Sequence, residues 1–391
     1  MKNWEAERLK EIHFSGIRRV FEKVSRLEQA GEKVINLSIG RPDFDTPVHI
    51  KNATKKALDS GMVHYASNYG LLELREAIAE KLKRENDISY DPGDEIIVTV
   101  GANEAIFLAM FACLNPGDEI ILPEPAWSHY FHCARMAGAK PISIPLREEN
   151  EFKIDTDELA RAITPKTKMI VINSPHNPTG SVLEKEKLEK IAELAEKHDL
   201  LVLSDEIYEK IIYDGTKALS FASLPNMKER TLTINGFSKA YAMDGWRLGY
   251  VAAPKHLVHS LIRVHQYTAV CVATFAQVGA AVAYRESQNC VRDMVEEFGK
   301  RRKYLLSALE GIEGFTCVNP QGAFYAFPSI KALEMSSIKM TDFLLDEAKV
   351  ALIPGSEFGQ QGEGYLRFAY SNSLDNIKEA IERIKLALKK L

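Results

Sequence analysis

The sequence predicts an α/β fold in which a mostly parallel central sheet is flanked by helices and followed by a smaller α+β region. Three observations predict it. The chain has 391 residues, more than a single hydrophobic core usually serves, so two domains are expected. From about residue 95 to 255, short β-like runs alternate with amphipathic helical windows. The last 80 or so residues change to short strands between separate helices.

The β-like runs are short, apolar and bounded by turn residues, as expected for strands of a buried sheet. They cover residues 95–100, 119–122, 141–145, 168–173, 200–204, 230–235 and 248–252. The clearest helical windows between them are residues 104–114 and 184–198. A long helical stretch is predicted from residue 255 to about 309, with a break at residues 287–289.

The C-terminal region predicts strands around residues 315–318, 323–328 and 365–370, and helices over residues 341–349 and 375–388. The first 45 residues contain one amphipathic helix and then an extended stretch rich in Pro, Gly and Asp. We therefore predict three parts. They are an N-terminal arm that belongs partly to the small domain (1–45), a large domain (46–285) and a small C-terminal domain (286–391).

The composition is that of an ordinary soluble globular protein, with 46% hydrophobic and 27% charged residues. A net charge of −4 provides no positive surface for nucleic acid or an anionic membrane. The longest strongly apolar stretch, residues 105–114, is too short to span a bilayer. Because charged residues are spread through the first eight positions (Lys2, Glu5, Glu7 and Arg8), we expect no signal peptide and a cytoplasmic protein. Five scattered cysteines predict free, mostly buried thiols.

Distinctive residues follow four of the predicted strands, at the sheet edge where α/β proteins bind ligands. Gly101, Ala102 and Asn103 open a helix, where backbone N–H groups and the helix dipole favour an anion. Asn177 lies in the segment Ser-Pro-His-Asn-Pro-Thr-Gly (174–180). Taken alone, the first segment is more often an ordinary turn, and the second would be a rigid turn.

The other two segments carry charge. Asp205 and Tyr208 follow the strand at 200–204, where a lone carboxylate would equally well cap a helix. Lys239 and Arg247 follow the strand at 230–235, where a lone lysine would usually be solvated. Only the combination of the four segments indicates a shared site.

One ligand would account for all four segments, namely a phosphorylated aldehyde with a protonated ring. Residues 101–103 and Arg247 would bind the phosphate. Lys239 would react with the aldehyde, and Asp205 would keep the ring nitrogen protonated.

The same ligand would use three further side chains. Asn177 and Tyr208 would donate hydrogen bonds to a phenolic oxygen of the ring. Trp127, which follows the second strand, would lie against the flat ring face. Trp127 and Asn177 would then border the substrate as well.

The segments Ser-x-x-Asn-Pro-Thr-Gly, Ser-Asp-Glu-x-Tyr and Phe-Ser-Lys-x-x-x-Met-x-Gly-Trp-Arg-x-Gly resemble those of class I/II aminotransferases. The resemblance covers essentially the whole chain, and residues 172–175 and 233–239 look closest to archaeal aromatic and aspartate aminotransferases. It implies the fold of the pyridoxal-phosphate-dependent transferases (fold type I). It also implies that the large domain binds pyridoxal 5′-phosphate through Lys239, and that a homodimer shares its active sites.

The resemblance also implies roles for five other residues. Arg367 matches the arginine that binds the substrate α-carboxylate, and Gly40 matches the glycine whose backbone faces the same group. Tyr65 matches the tyrosine that reaches the cofactor phosphate of the neighbouring subunit. Tyr130 is expected to line the pocket, and Ile17 is expected to be the apolar lid residue of the N-terminal helix.

Two positions depart from the family pattern. Gly236 stands where many members carry a serine that binds phosphate, so one phosphate hydrogen bond is expected to be missing or replaced by water. Asp244 stands where many members carry threonine. Its charge would either weaken the hold of Arg247 on the phosphate or orient Arg247.

The implied reaction transfers an amino group from an aromatic amino acid, aspartate or both to 2-oxoglutarate, in a ping-pong cycle through pyridoxamine phosphate. Two alternatives stay open: β-elimination on the same scaffold, and a non-catalytic module that senses amino acids or cofactor. The complete set of Lys239, Asp205 and Arg367 argues for catalysis. No residue is assigned to an acidic side chain, so the side-chain preference is open.

A metal site is not expected. Two groups have ligand-like spacing, but each lacks the accompanying motif that would make it specific: His129, His132 and Cys133, and the pair His256 and His259. We expect helix-surface or pocket-rim histidines.

Overall fold

The computed structural model describes residues 4–391. Its strands are β1 (Ile35–Asn36), β2 (Ile96–Thr99), β3 (Glu119–Glu124), β4 (Lys140–Pro145), β5 (Thr167–Asn173), β6 (Leu201–Asp205), β7 (Thr231–Gly236), β8 (Gly249–Ala252), β9 (Tyr325–Ala326), β10 (Val350–Ala351), β11 (Ile353–Pro354) and β12 (Leu366–Ala369). Its helices are α1 (Gly16–Gln29), α2 (Val48–Asp59), α3 (Leu72–Asn86), α4 (Gly101–Cys113), α5 (Ser128–Met136), α6 (Thr156–Ala162), α7 (Lys185–Lys197), α8 (Lys255–Thr268), α9 (Thr274–Arg285), α10 (Asn289–Glu310), α11 (Ser337–Phe343) and α12 (Leu374–Leu388). Short 3₁₀ turns connect several of them, and a π-helical turn, Leu344–Ala348, continues α11.

Seven strands form the central sheet in the order β2-β8-β7-β6-β5-β3-β4, and β8 runs antiparallel to both of its neighbours. The other strands are parallel to one another. All seven strands predicted for this region are present, and the predicted α/β class is confirmed. The strands are apolar at successive positions because both faces of the sheet are covered. Ile96 and Val98 of β2 pack into one hydrophobic cluster, and Ile97 packs into another.

A second group of strands lies in the C-terminal region, where β11, β12 and β9 form an antiparallel sheet. The N-terminal segment joins this region because β1 pairs in parallel with β10, with Ile35 opposite Val350. An N-terminal arm that belongs partly to the small domain, as predicted, would make a contact of this kind with the C-terminal region. The division at residues 45 and 285 stays a prediction.

Some predicted elements differ from the structure. Residues 315–318 are not a strand, since Thr316 makes only an isolated bridge to Ser329. The predicted long helix has an additional break between α8 and α9, where Val270 adopts a left-handed backbone conformation with φ of 65°. The expectation of mostly buried thiols is wrong, because Cys133 is buried and the other four cysteines are partly exposed.

The register of the parallel strands positions the candidate site. Asn173, the last residue of β5, lies opposite Asp205, the last residue of β6. Asp205 in turn lies opposite Ile234 of β7, which ends two residues later at Gly236. Three neighbouring strands therefore end at the same edge of the sheet, and the residues that follow them lie close together there. Between residues 4 and 391, no helix is both long and apolar enough to cross a membrane.

Candidate active site

A pocket lies at the carboxyl ends of the parallel strands, between the central sheet, α1 and the C-terminal sheet. Twelve residues that the sequence nominated line it: Ile17, Gly40, Ala102, Asn103, Trp127, Tyr130, Asn177, Asp205, Tyr208, Lys239, Arg247 and Arg367. Two nominated residues do not line it, Gly101 and Tyr65. The pocket also contains residues that the sequence did not nominate as site residues: Phe21, Ser38, Asn173, Ile207, Ser238, Asp244 and Tyr325.

Lys239 lies in the turn that follows β7, and its amine points into the pocket. Its Nζ donates a 2.7 Å hydrogen bond to the carbonyl of Gly40. Burial lowers the pKa of Lys239 to about 8. The charges of Arg367 and Arg247 lower this pKa further, while those of Asp244 and Asp205 raise it. The amine is therefore much closer to its neutral form at physiological pH than a surface lysine is.

Asp205 is buried at the end of β6 and is held by two donors. The Tyr130 hydroxyl donates to its Oδ2 at 2.6 Å, and the backbone N–H of Ile207 donates to its Oδ1 at 3.2 Å. Burial raises the pKa of Asp205 to about 6, and the two hydrogen bonds and the charge of Lys239 oppose this rise. Tyr130 thus does more than line the pocket, because it is a direct partner of the carboxylate.

Arg367 is the second buried cation of the site. Its Nη2 donates to the carbonyl of Ser38 at 2.7 Å, and its Nη1 donates to Oδ1 of Asn177 at 3.1 Å. The guanidinium lies 4.5 Å from the ring centre of Tyr325 and 5.0 Å from that of Phe358. Its Nε is buried without a hydrogen-bond partner among the described residues. The guanidinium is therefore fixed in direction and keeps unused donor capacity.

The start of α4 and Arg247 lie together at one end of the pocket, and their N–H groups could bind an anion. Gly101 has φ of +74°, and a Cβ added there would lie 2.5 Å from Nη2 of Arg247. Glycine is therefore needed for this close approach. Arg247 also has a left-handed backbone conformation, and its Nη1 donates to the carbonyl of Asp244 at 2.8 Å. The first N–H groups of α4 have no helical carbonyl within reach, so they are free to bind an anion.

The two departures from the family pattern have different structural settings. A Cβ at Gly236 would lie 2.9 Å from both Gly249 Cα and the Leu248 carbonyl, so the sheet leaves no room for a serine. Asp244 lines the pocket, but its hydrogen bond to Arg247 uses the main-chain carbonyl. The Asp244 carboxylate acts on Lys239, whose pKa it raises.

Aromatic side chains border the remaining walls. Trp127 stacks on His129, with ring centres 4.7 Å apart, and makes an edge contact with Tyr130. His129 also contacts the carbonyl of Asn103 at 3.1 Å, which joins α5 to the first turn of α4. Within residues 4–391, no group of three His, Cys, Asp or Glu side chains could hold a metal ion.

The hydroxyl groups of Tyr208 and Tyr325 lie 2.7 Å apart in a hydrogen bond. Tyr325 also explains why residue 40 is glycine, because a Cβ at Gly40 would overlap the Tyr325 hydroxyl. Tyr325 and Ser38 come from distant segments, and no local pattern indicates them. Phe21 could have been found, since it lies one helical turn after Ile17.

Tyr65 lies away from the pocket and is 88% exposed. It borders a separate surface hollow together with Met62 and His64. The prediction that Tyr65 serves the neighbouring subunit requires an exposed position of this kind, and it stays a prediction.

Comparison with known proteins agrees with the fold and the pocket. The family model described as aminotransferase class I and II matches residues 32–384. The chain is 47% identical to the aspartate aminotransferase of Pyrococcus abyssi and 46% identical to aromatic-amino-acid aminotransferase 2 of Thermococcus litoralis. Each match spans 386 residues and 98% of both chains.

Solved structures give the same result. The aromatic aminotransferase of Pyrococcus horikoshii superposes with a TM-score of 0.90 at 47% identity, covering 94% of this chain and 99% of that one. The aspartate aminotransferase of Rhizobium meliloti superposes with a TM-score of 0.96 at 35% identity over the full length of both chains. The resemblance inferred from the sequence motifs is confirmed, and the chain belongs to the class I and II aminotransferase family.

Proposed function

We propose that this aminotransferase binds pyridoxal 5′-phosphate through Lys239. We further propose that it transfers the amino group of an aromatic amino acid, aspartate or both to 2-oxoglutarate. The observation that carries the proposal is one pocket with four complementary groups. The Lys239 amine lies among the buried Asp205 carboxylate, the Arg247 guanidinium at the start of α4, and the Arg367 guanidinium.

The pocket residues fit this cofactor in charge and in shape. The close approach of Gly101 to Arg247 creates a cradle that a side chain at position 101 would fill, and a phosphate suits its donors. The buried Asp205 carboxylate is suited to a protonated ring nitrogen, and the lowered pKa of Lys239 suits an amine that reacts with an aldehyde.

When bound, pyridoxal 5′-phosphate supplies an aldehyde that reacts with amines and a protonated ring that accepts the electron pair of the substrate Cα. Asp205 would hold the proton at the ring nitrogen, and Tyr130 favours the charged form of Asp205 by donating to it. With the cofactor in place, Lys239 Nζ would be the group that takes the proton from the substrate Cα and holds it for return to the reacting carbon. Its depressed pKa allows this neutral amine to act as a base.

Arg367 is the proposed binding group for the substrate α-carboxylate. The Ser38 carbonyl and the Asn177 amide oxygen hold the guanidinium from one side, and Tyr325 lies against its face. An arginine has five N–H donors and these contacts use two of them, so three remain, which is enough for bidentate binding of a carboxylate. The clamp is common to all α-amino acids and gives no side-chain preference.

The side-chain preference is proposed from the pocket walls. Ile17, Phe21, Trp127 and Tyr130 supply aliphatic and aromatic surface. Burying a phenyl side chain there would contribute roughly 2–3 kcal/mol. Among residues 4–391, the cations that line the pocket are Lys239, Arg247 and Arg367, and each already has a proposed role. An acidic substrate side chain must therefore be bound by polar groups, by water or by a cation from outside the described part of this pocket. The names of relatives include both aspartate and aromatic aminotransferases.

We also propose a cytoplasmic homodimer in which Tyr65 of each subunit reaches the cofactor phosphate of the other. The exposed position of Tyr65, next to the exposed side chain of Val63, supports this assembly.

The purified protein should be yellow, and the cofactor is tested by borohydride reduction followed by peptide mass analysis. We expect the cofactor mass on the peptide that contains Lys239; the same mass on a different lysine would overturn the assignment.

The reaction is tested with phenylalanine, tyrosine, aspartate and alanine as donors to 2-oxoglutarate. Better transfer from alanine than from phenylalanine and aspartate would overturn the substrate proposal. Pyruvate and ammonia formed from cysteine conjugates without an acceptor would indicate β-elimination instead.

A further inference from the structure

Helix α1 forms one wall of the pocket and is attached to the rest of the molecule by few groups. Ile17 and Phe21 lie one turn apart on it and line the pocket. Of its 14 residues, Val20 and Val24 are buried, and they belong to the same hydrophobic cluster as Phe358. The position of this wall therefore depends strongly on how the helix is held at its ends.

The first turn of α1 is held by a carboxylate from a distant part of the chain. The backbone N–H of Gly16 donates a 2.7 Å hydrogen bond to Oε2 of Glu357. Ser15, at the N-cap position, makes no capping hydrogen bond with its own side chain. Glu357 thus takes the place of a local cap, and its negative charge lies at the positive end of the helix dipole.

The residue at position 16 is matched to this contact. A Cβ added to Gly16 would overlap the carboxylate of Glu357, so the approach requires glycine. Glycine in a helix is less favourable than alanine, because it loses more conformational freedom on folding. Glycine is nevertheless present at this turn, where the Glu357 carboxylate contacts the helix.

Other polar contacts hold the body of α1 less firmly. Arg19 and Lys23 form ion pairs with Asp342, and Lys23 forms a second pair with Asp346. These side chains are between 32% and 55% exposed, so water and salt screen their attraction. The Glu357 contact is half-buried and is the main polar contact at the pocket end of the helix.

We propose that Glu357 is a positioning residue for the substrate side chain. It fixes the first turn of α1, and α1 then holds Ile17 and Phe21 against that side chain. The inference rests on the proposed function and deepens it, because it names a determinant of side-chain preference. Amino-acid substrates with large apolar side chains depend on this wall. Alanine, whose methyl group is too short to use it, does not.

The test compares phenylalanine and alanine as donors for the cofactor-loaded enzyme and its Glu357→Ala variant. We expect kcat/KM for phenylalanine to fall about fivefold, mainly through KM, which is the effect of losing a typical helix cap on an equilibrium constant. The value for alanine should stay within about twofold of that of the unmodified enzyme. Glu357→Gln keeps an oxygen that accepts from Gly16, so it should restore most of the phenylalanine activity. Glu22→Ala is the matched control, because Glu22 lies on the same helix but pairs with Arg18 within it.

A double-mutant cycle tests the contact itself. Gly16→Ala displaces the Glu357 carboxylate from the other side and should reproduce the loss for phenylalanine. The double variant Gly16→Ala/Glu357→Ala should be no worse than Glu357→Ala. The inference would be overturned if kcat/KM fell equally for phenylalanine and alanine. It would also be overturned if the fold-losses in kcat/KM of the two single variants multiplied in the double variant. Absence of transfer from every donor in the unmodified enzyme would overturn the proposed function itself and is therefore a distinguishable result.

Discussion

Tyr130 donates its hydroxyl hydrogen to Oδ2 of Asp205 at 2.6 Å, and both side chains are buried. Burial alone would favour the neutral acid, and it raises the pKa of Asp205 to about 6. The phenol opposes this rise because its hydrogen bond favours the carboxylate. The charge that the proposed chemistry needs at the ring nitrogen therefore depends on a tyrosine that the sequence indicated only as part of the pocket wall.

Replacing Tyr130 by phenylalanine should shift the acid limb of the pH–activity profile. Without the donor, the pKa of Asp205 rises, so the carboxylate is protonated, and activity is lost, at a higher pH than in the unmodified enzyme. A hydrogen bond to a charged group contributes about 1.5–3 kcal/mol, so we expect kcat/KM at pH 7 to fall at least about tenfold. Tyr213→Phe is the control, since this buried tyrosine donates to the Ala323 carbonyl outside the pocket. An acid limb that does not move would contradict the assignment.

Asp205→Asn should retain the cofactor and lose activity. A neutral amide still fills the position beside Tyr130, but it cannot keep the ring nitrogen protonated, so transition-state stabilisation is lost. We expect kcat/KM to fall at least about 100-fold, as for removal of one preorganised electrostatic partner. Cofactor content, measured after release in alkali, should stay close to one per chain. Activity near normal would mean that Asp205 is only structural.

The capture of cofactor by the cofactor-free protein should depend on the pKa of Lys239. The neutral amine is the reactive form, and burial lowers its pKa to about 8 from the ordinary value of 10.5. The second-order rate should therefore rise with pH through about 8 and level off above it. The rate is measured from the absorbance change on mixing, with N-acetyl-lysine methylamide as the reference amine. A protein rate that keeps rising towards pH 10, as for the reference amine, would contradict the lowered pKa.

Mixing two impaired variants tests the proposed shared site. A Tyr65→Phe chain would weaken the partner's site, and a Lys239→Ala chain has no reactive amine of its own. In a mixed dimer one of the two sites contains neither substitution, so activity should recover towards one normal site per dimer. Each variant alone, refolded in the same way, is the control. Full activity in a monomer, measured by sedimentation at assay concentration, would exclude the arrangement.

The sequence predicted the central sheet well because its strands are apolar on both faces and end in polar or small residues. The additional helix break at Val270 could not be predicted, since the residues around it include neither glycine nor proline and a valine rarely adopts the left-handed conformation found there. The short strands β10 and β11 were missed for a similar reason. Two residues each are too few to establish a periodic pattern.

The candidate site was predictable where a residue directly follows a strand. Asp205 and Lys239 are of this kind. Ser38 and Tyr325 were missed because they reach the pocket through contacts between distant segments, and those contacts exist only in the folded chain. The Tyr130–Asp205 bond was missed for the same reason, although both residues were nominated. The role of Tyr65 cannot be read from one chain, because its predicted target belongs to a second copy.

The pairing of β1 with β10 has a consequence for how the enzyme is made. All strands of the central sheet are available once residue 252 has left the ribosome, whereas β1 must wait for Val350 and Ala351. Ser38 and Gly40 follow β1 and contact Arg367 and Lys239, so neither contact can be completed before the last part of the chain is synthesised. A nascent chain can therefore contain a folded sheet with every strand-end residue in place and still lack a working pocket.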